Sequence, residues 1–352
     1  MDRLHRREFL AATGAAAAAV ALDAAPALAE PAPAAPALAT GGRELRLATA
    51  WPDDVAGFGD SAWRLARRIA QASGGRFRIV AAAEDGADAD LTHGFEHART
   101  AGHPGFSYFA GLPGHAALNA LDLDAWIAVG GGQDLWDDLA ADFGVKPLLA
   151  GHTGRWPGLW SAKPVERLAD LAGEGLLAQG LVGDVAAGLG ARPLDLAAKS
   201  WPGMLASGGA AAAEWGGAQA NMALGLASPA KYVVGLGLAP SGSAVSLGVR
   251  RAAWDSLARA DQILFSACAG EEFRLTLAES RAHEVLLRRA LAERHGIRFT
   301  PMPEDAAHAL SSVSDAVVAH AAGADRAAAR IDASYRAFQA AVSGSQAAGG
   351  VS

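Results

Sequence analysis

Two short alternating runs flanking an amphipathic segment set the architecture. Leu45-Arg46-Leu47-Ala48-Thr49 alternates apolar and polar residues, the period of a strand. Ala62, Leu65, Ala66, Ile69 and Ala70 then recur at helical spacing, with Asp60-Ser61 as the cap candidate and Gly74-Gly75 as the stop. Arg76-Phe77-Arg78-Ile79-Val80 reads as a second strand. A strand–helix–strand unit of this kind begins an open α/β sheet, and the fold class expected is α/β.

The pattern continues. Gly130 to Gly132 lead into a helix with Leu135, Trp136, Leu139 and Phe143 on one face, followed by a strand over Val145–Ala150. Val182, Val185, Ala186 and Leu189 mark a short helix closed by Gly190 and Pro193, and Ala244–Val249 is another strand. From Arg259 to Arg294 there is no proline and one glycine, which predicts a long helix. Ile297-Arg298-Phe299 reads as a late strand, and Glu304–Ala341 as helical. At 352 residues, 51% of them hydrophobic, the chain can bury the cores of two α/β lobes with a cleft between them.

The first residues read as an address. Arg6-Arg7 before Phe9-Leu10, the alanine-rich run to Leu22 and the A-x-A site Ala27-Leu28-Ala29 resemble a twin-arginine export signal. The expectation is a signal peptide over 1–29, a Pro/Ala linker over 30–42 and a mature, periplasmic protein starting near Glu30, with Ala37-Leu38-Ala39 as a second cleavage candidate. The alternative is a basic tail on a cytoplasmic protein.

Composition excludes several classes. The net charge is −7 and no Lys/Arg-rich stripe occurs, so a nucleic-acid surface is set aside. The one cysteine, Cys268, sits in an apolar run; it can form no internal disulfide and is expected to be a buried core residue. No G-x-S-x-G segment supports a serine hydrolase. His93 and His97, four apart, are a zinc candidate if they share a helix face, although Gly94 weakens that helix and no third ligand is marked. Gly130-Gly131-Gly132 lacks the Lys and Ser/Thr of a phosphate loop. No enzyme is expected.

Several segments, in order, resemble the substrate-binding proteins of TRAP transporters, the DctP-like family, and within it the branch that binds α-keto acids. They are Leu45 to Pro52, the aromatic loop Gly105 to Gly111, Gly130 to Trp136, Thr153-Gly154, Glu214-Trp215 and Arg251 to Leu257. The resemblance covers roughly 44–340. It implies a two-lobed fold like that of type II periplasmic binding proteins, with an interlobe cleft and a long linking helix. Lobe one would comprise 43–151 and 235–275, lobe two 152–234 and 276–342, and 343–352 would be a disordered tail. The implied function is capture of a small organic solute, a carboxylate among the candidates, for the membrane components of a TRAP transporter.

The resemblance also implies a site. The family clamps its ligand's carboxylate with an arginine, whose planar fork gives two parallel hydrogen bonds. The matching position here is Gln179, which carries no charge, and Arg155 is the candidate to supply it from the next loop. Glu214 and the Trp215 backbone carbonyl match a pair that helps hold a cation, sodium being the candidate, because hard cations take oxygen ligands. A further side-chain amide of that site is replaced by Trp156. Trp51, Tyr108 and Trp156 are candidates to line the pocket. Upstream of Glu214 the family's aspartate is missing, and aromatics are replaced by Val233 to Leu238, so a larger or less polar pocket is expected. Glu214 as a strand-end carboxylate, and the aromatics as core, are the bland alternatives. A degenerate paralogue that senses or scaffolds is the rival function. With no amphipathic segment after residue 342 to swap with a partner, a monomer is expected.

Overall fold

The computed structural model describes residues 42–51, 57–83, 86–114, 117–155 and 158–349, and two sheets organise them. The signal peptide, the linker up to residue 41, and Trp156 lie outside the described residues. The first sheet has strands β1 (Arg43–Thr49), β2 (Phe77–Ala81), β3 (Leu91–Phe95), β4 (Val145–His152) and β10 (Ala244–Arg250), in the order β2-β1-β3-β10-β4. β1 pairs in parallel with β2 and β3, while β10 runs antiparallel between β3 and β4. The second sheet is built of short strands: β5 (Leu159–Ser161), β6 (Gly175–Leu177), β7 (Arg192–Leu194), β8 (Ala212–Ala213), β9 (Tyr232–Val234) and β11 (Arg298–Thr300), in the order β11-β9-β5-β8-β6-β7.

The chain passes between the sheets three times: from β4 to β5, from β9 to β10, and along the helix Arg259–His295 to β11. That helix has 37 residues. At about 1.5 Å per residue it is roughly 55 Å long, long enough to serve both lobes. Its stop is Gly296 at φ +66°, a left-handed cap that a side chain would strain. Glu272, fully buried on this helix, accepts from Ser61 Oγ at 2.8 Å, Arg64 Nε at 3.0 Å and Arg68 at 2.7 Å, all on the helix Phe58–Ala72. Arg64 also grips Glu279, about two turns further along the same helix, at 2.9 Å. The buried carboxylate is thus fully paired, which its burial requires.

Three differences from the sequence reading have physical causes. His93 and His97 do not share a helix: His93 is on β3 and His97 in the 3₁₀ turn Glu96–Arg99. Leu91, His93 and Phe95 alternate into the core, and Gly94 fits because a Cβ there would come within 2.9 Å of the Ala50 side chain. The cap of the helix from Phe58 is Gly57, with Asp60 accepting from the Gly57 N–H at 3.4 Å, so Asp60-Ser61 lies inside the helix. The last helix, Arg326–Gly349, continues through Ser343, Gly344 and Ser345, where an end was expected. One glycine costs a helix only about 1 kcal/mol relative to alanine, and Gln346-Ala347-Ala348 beyond it are good helix formers. This helix also packs on the first sheet's side rather than with lobe two. Tyr335 Oη accepts from the Leu118 N–H at 2.7 Å, and Trp126 Nε1 donates to Ser334 at 3.1 Å.

Cys268 is buried in the core between the first sheet and the helix Phe58–Ala72, as its apolar run predicts. Among the described residues, no helix is long and apolar enough to cross a membrane.

Candidate functional site: a pocket between the two sheets

The pocket is built where strand ends of both sheets meet the second crossing. β6 ends at Leu177 and delivers Gln179; β8 ends at Ala213 and delivers Glu214 and Trp215, with the Glu214 N–H bonded to the Leu177 carbonyl. From the first sheet, β3 leads into His97. The crossing segment adds Ala239, Gly242 and Ser243. Strand ends are where open α/β sheets place ligands. Glu214, Trp215 and Gln179, singled out in the sequence, therefore line one pocket with His97, Val182 and Ser243. The remaining space is about 20 Å³, room for one water-sized group. A solute of several heavy atoms needs the lobes to part before it enters.

Glu214 is buried, and both oxygens are used: Oε2 accepts from the Leu238 N–H at 2.8 Å and Oε1 from the Ala239 N–H at 2.7 Å. Desolvation pushes its pKa up to about 7, against the pull of those two hydrogen bonds. Each oxygen retains a second lone pair. Gln179 bridges the lobes. Its Oε1 lies 3.3 Å from His97 Nε2, and its Nε2 donates to the exposed Asp195 carboxylate at 3.2 Å. Desolvation holds His97 below the ordinary histidine range, so near neutrality its ring is uncharged.

Trp215 is backed by aromatic rings from both lobes. Its centroid lies 5.9 Å from Phe95, 6.2 Å from Phe58 and 6.4 Å from Trp201. Trp51 stacks on Phe58 at 4.8 Å and meets His93 edge-on at 5.4 Å. Trp51 thus packs behind the pocket rather than lining it. Among the described residues, its indole nitrogen and both nitrogens of His93 are buried without a hydrogen-bond partner.

The other candidates are not brought to this pocket. Tyr108 is buried in the core under the last helix, its hydroxyl donating to Asp332 at 2.7 Å, so the aromatic loop is a packing element. Arg155 is exposed and not among the lining residues. His97 and Ser243 were not read as solute-binding residues. His97 was masked by its spacing from His93; Ser243 had no local signal, because only the crossing brings it here.

A hydrogen-bonded node sits beside the pocket where the three crossings touch. Thr153 N–H donates to the Ser243 carbonyl at 2.9 Å, and Ser243 N–H to Thr153 Oγ1 at 2.8 Å. His152 N–H donates to Thr276 Oγ1 at 3.1 Å, and Ser280 Oγ donates to the Thr153 carbonyl. All three connections between the sheets are therefore tied at one point, as a hinge requires.

Two α/β sheets, three crossings and a pocket at the strand ends between them define the class: a two-lobed solute-binding fold. No family model matches the chain. It is 28% identical over 310 residues to the monocarboxylate 2-oxoacid-binding periplasmic protein of Nostoc sp., covering 84% of this chain and 83% of that one. The fold matches a TRAP transporter solute-binding protein of Bordetella bronchiseptica with a TM-score of 0.81 and 25% identity, over 87% of this chain and 94% of that one. That crystal structure is a mixed-occupancy dimer with copurified calcium and picolinate in the bound site and an apo site. A TRAP periplasmic solute-binding protein of Pseudoalteromonas atlantica, solved with sodium and pyruvate, matches with a TM-score of 0.79 and 22% identity, over 86% of this chain and 95% of that one. The structural neighbours of this chain are TRAP solute-binding proteins, and its fold is theirs.

Proposed function

We propose that the chain is a periplasmic solute receptor, which captures a small organic molecule between its lobes and presents it to the membrane components of a TRAP transporter. The observation that carries this reading is the placement of Glu214, Trp215 and Gln179 from one sheet opposite His97 from the other, with the hinge node beside them. The likeness to solute-binding proteins over more than four-fifths of the chain supports it. It has no catalytic role in this reading. Export by the twin-arginine route accounts for the first 29 residues.

A cation is compatible with the pocket. Glu214, the Trp215 carbonyl and the Gln179 amide oxygen are hard donors, and one carboxylate among neutral oxygens suits a monovalent ion such as sodium better than calcium. When bound, the ion would supply the positive charge that the Gln179 position lacks.

A thermal-shift screen of small acids, amides and amines, with and without sodium, tests the receptor reading. A native-state ligand at a hundredfold excess over its Kd adds about 2.7 kcal/mol of stability. Reproducible stabilisation with the solute recovered unchanged is expected; turnover of the solute overturns the reading.

A further inference from the structure

We infer that the protein has a second binding site, at the hinge and separate from the solute pocket, which takes a small neutral primary amide: the carbonyl on His152 Nε2, the amide N–H groups on oxygen acceptors of the long helix.

A cavity beside the hinge node has about 30 Å³ of free space, more than the solute pocket and room for roughly two water-sized groups. Its walls come from both lobes and two crossings: Phe58 from lobe one, Ala220 from lobe two, His152 and Thr153 on the first crossing, Glu279 and Ser280 on the long helix. It is complete only while the lobes are together, since a Cβ on Gly57 of lobe one would lie 3.3 Å from the side-chain amide of Gln219 in lobe two. The cavity shares no lining residue with the solute pocket. The two are nevertheless neighbours, because Thr153 of one and Ser243 of the other are joined by the two hydrogen bonds of the node.

His152 is buried, yet only half of its ring is used. Nδ1 accepts from the Gly154 N–H at 3.0 Å, so the ring proton sits on Nε2. Among the described residues Nε2 has no hydrogen-bond partner, and a buried donor left unpaired is costly. Around the same cavity the hydroxyl groups can only accept. Ser280 Oγ gives its proton to the Thr153 carbonyl, and Thr276 Oγ1 gives its own to the Phe273 carbonyl at 3.0 Å; each oxygen keeps a lone pair. Glu279 adds carboxylate oxygens. One unpaired donor among several acceptors matches a primary amide, which has one oxygen and two N–H bonds. The nearby charges balance, Glu272 and Glu279 against Arg64 and Arg68. A charged molecule dehydrated here would find no counter-charge to spare, which favours a neutral one.

The test uses three probes of one shape and different charge: formamide, formate and the formamidinium ion, each titrated into the mature chain and followed by backbone amide NMR. Saturable shifts at Thr153, Ala220 and Ser280 with formamide, and binding about 10-fold or more weaker for either ion, are the expected result. His152→Asn keeps an acceptor for the Gly154 N–H and removes Nε2, and should weaken formamide about 3- to 10-fold. His152→Gln keeps a terminal N–H donor and should bind more tightly than the asparagine variant. Shifts that stay linear to the highest formamide concentration mean that water alone fills the cavity, and overturn the inference. So do shifts confined to the solute pocket, equal or tighter binding of formate or formamidinium, and unchanged affinity in a folded His152→Asn. The comparison of the three probes on the unaltered chain decides the matter if neither variant folds.

Discussion

A Cβ on Gly242 would lie 1.8 Å from the carbonyl oxygen of Gly154, the two residues touching where the first crossing of the chain passes the second. Gly242 is also at φ +84°, in the left-handed region. Only glycine satisfies both conditions, since a side chain there is strained by its dihedral and by the contact.

Gly242→Ala is therefore expected to destabilise the protein by about 2 kcal/mol or more, from left-handed strain plus steric displacement. Urea denaturation measures it. A midpoint equal to that of the wild type would mean that the crossings part without cost.

Glu272→Ala leaves Arg64 and Arg68 facing a buried void, with Ser61 unpaired. Breaking one partner of a buried ion network typically costs about 3–5 kcal/mol, and a loss in that range is expected by the same method. Glu279→Ala removes a partner that is itself partly exposed, and should cost much less.

Stability should fall in mild acid. Burial lowers His93 to about 3 and His152 to about 4, both from an ordinary value of 6.5. The unfolded chain takes up those protons first, so their contribution is complete above pH 6.5 and is lost progressively as the pH falls toward 4. Glu214 acts with the opposite sign: its value is raised from 4.5 to about 7, so its ionisation lowers stability as the pH rises across that interval. Urea midpoints of Glu214→Gln between pH 7 and 4.5 should decline more steeply with acid than those of the wild type. Parallel curves would count against the buried carboxylate.

Replacing Arg6 and Arg7 by lysine should abolish export, leaving precursor in the cytoplasm. Fractionation and immunoblotting read this directly, and the mature N-terminus is expected near Glu30. Normal periplasmic accumulation of the double variant would rule out the twin-arginine route.

The chain is expected to be monomeric by light scattering coupled to size exclusion. The last helix folds back on its own core through Tyr335, Ser334 and Asp332. A stable dimer that persists after deletion of 343–352 would show another surface pairing.

Local pattern alone determined much of this protein. β1, the helix from Phe58, β2, β4, β10 and the long helix from Arg259 were legible, because each is long enough for apolar residues to repeat at a strand or helix period. Glu214, Trp215 and Gln179 were legible by resemblance, and they do share a pocket. Apart from β11, legible at Ile297–Phe299, the strands of the second sheet are two or three residues long, too short to show a period, and only pairing with neighbours makes them strands. Tyr108 illustrates the limit for sites: an aromatic in a loop can face a cleft or a core with the same local sequence, and the Asp332 carboxylate, 224 residues away, decided for the core. His97 and Ser243 became pocket residues for the same reason. What lines the cleft is set by which strand ends the crossings bring together, a property of long-range packing that no window of sequence contains.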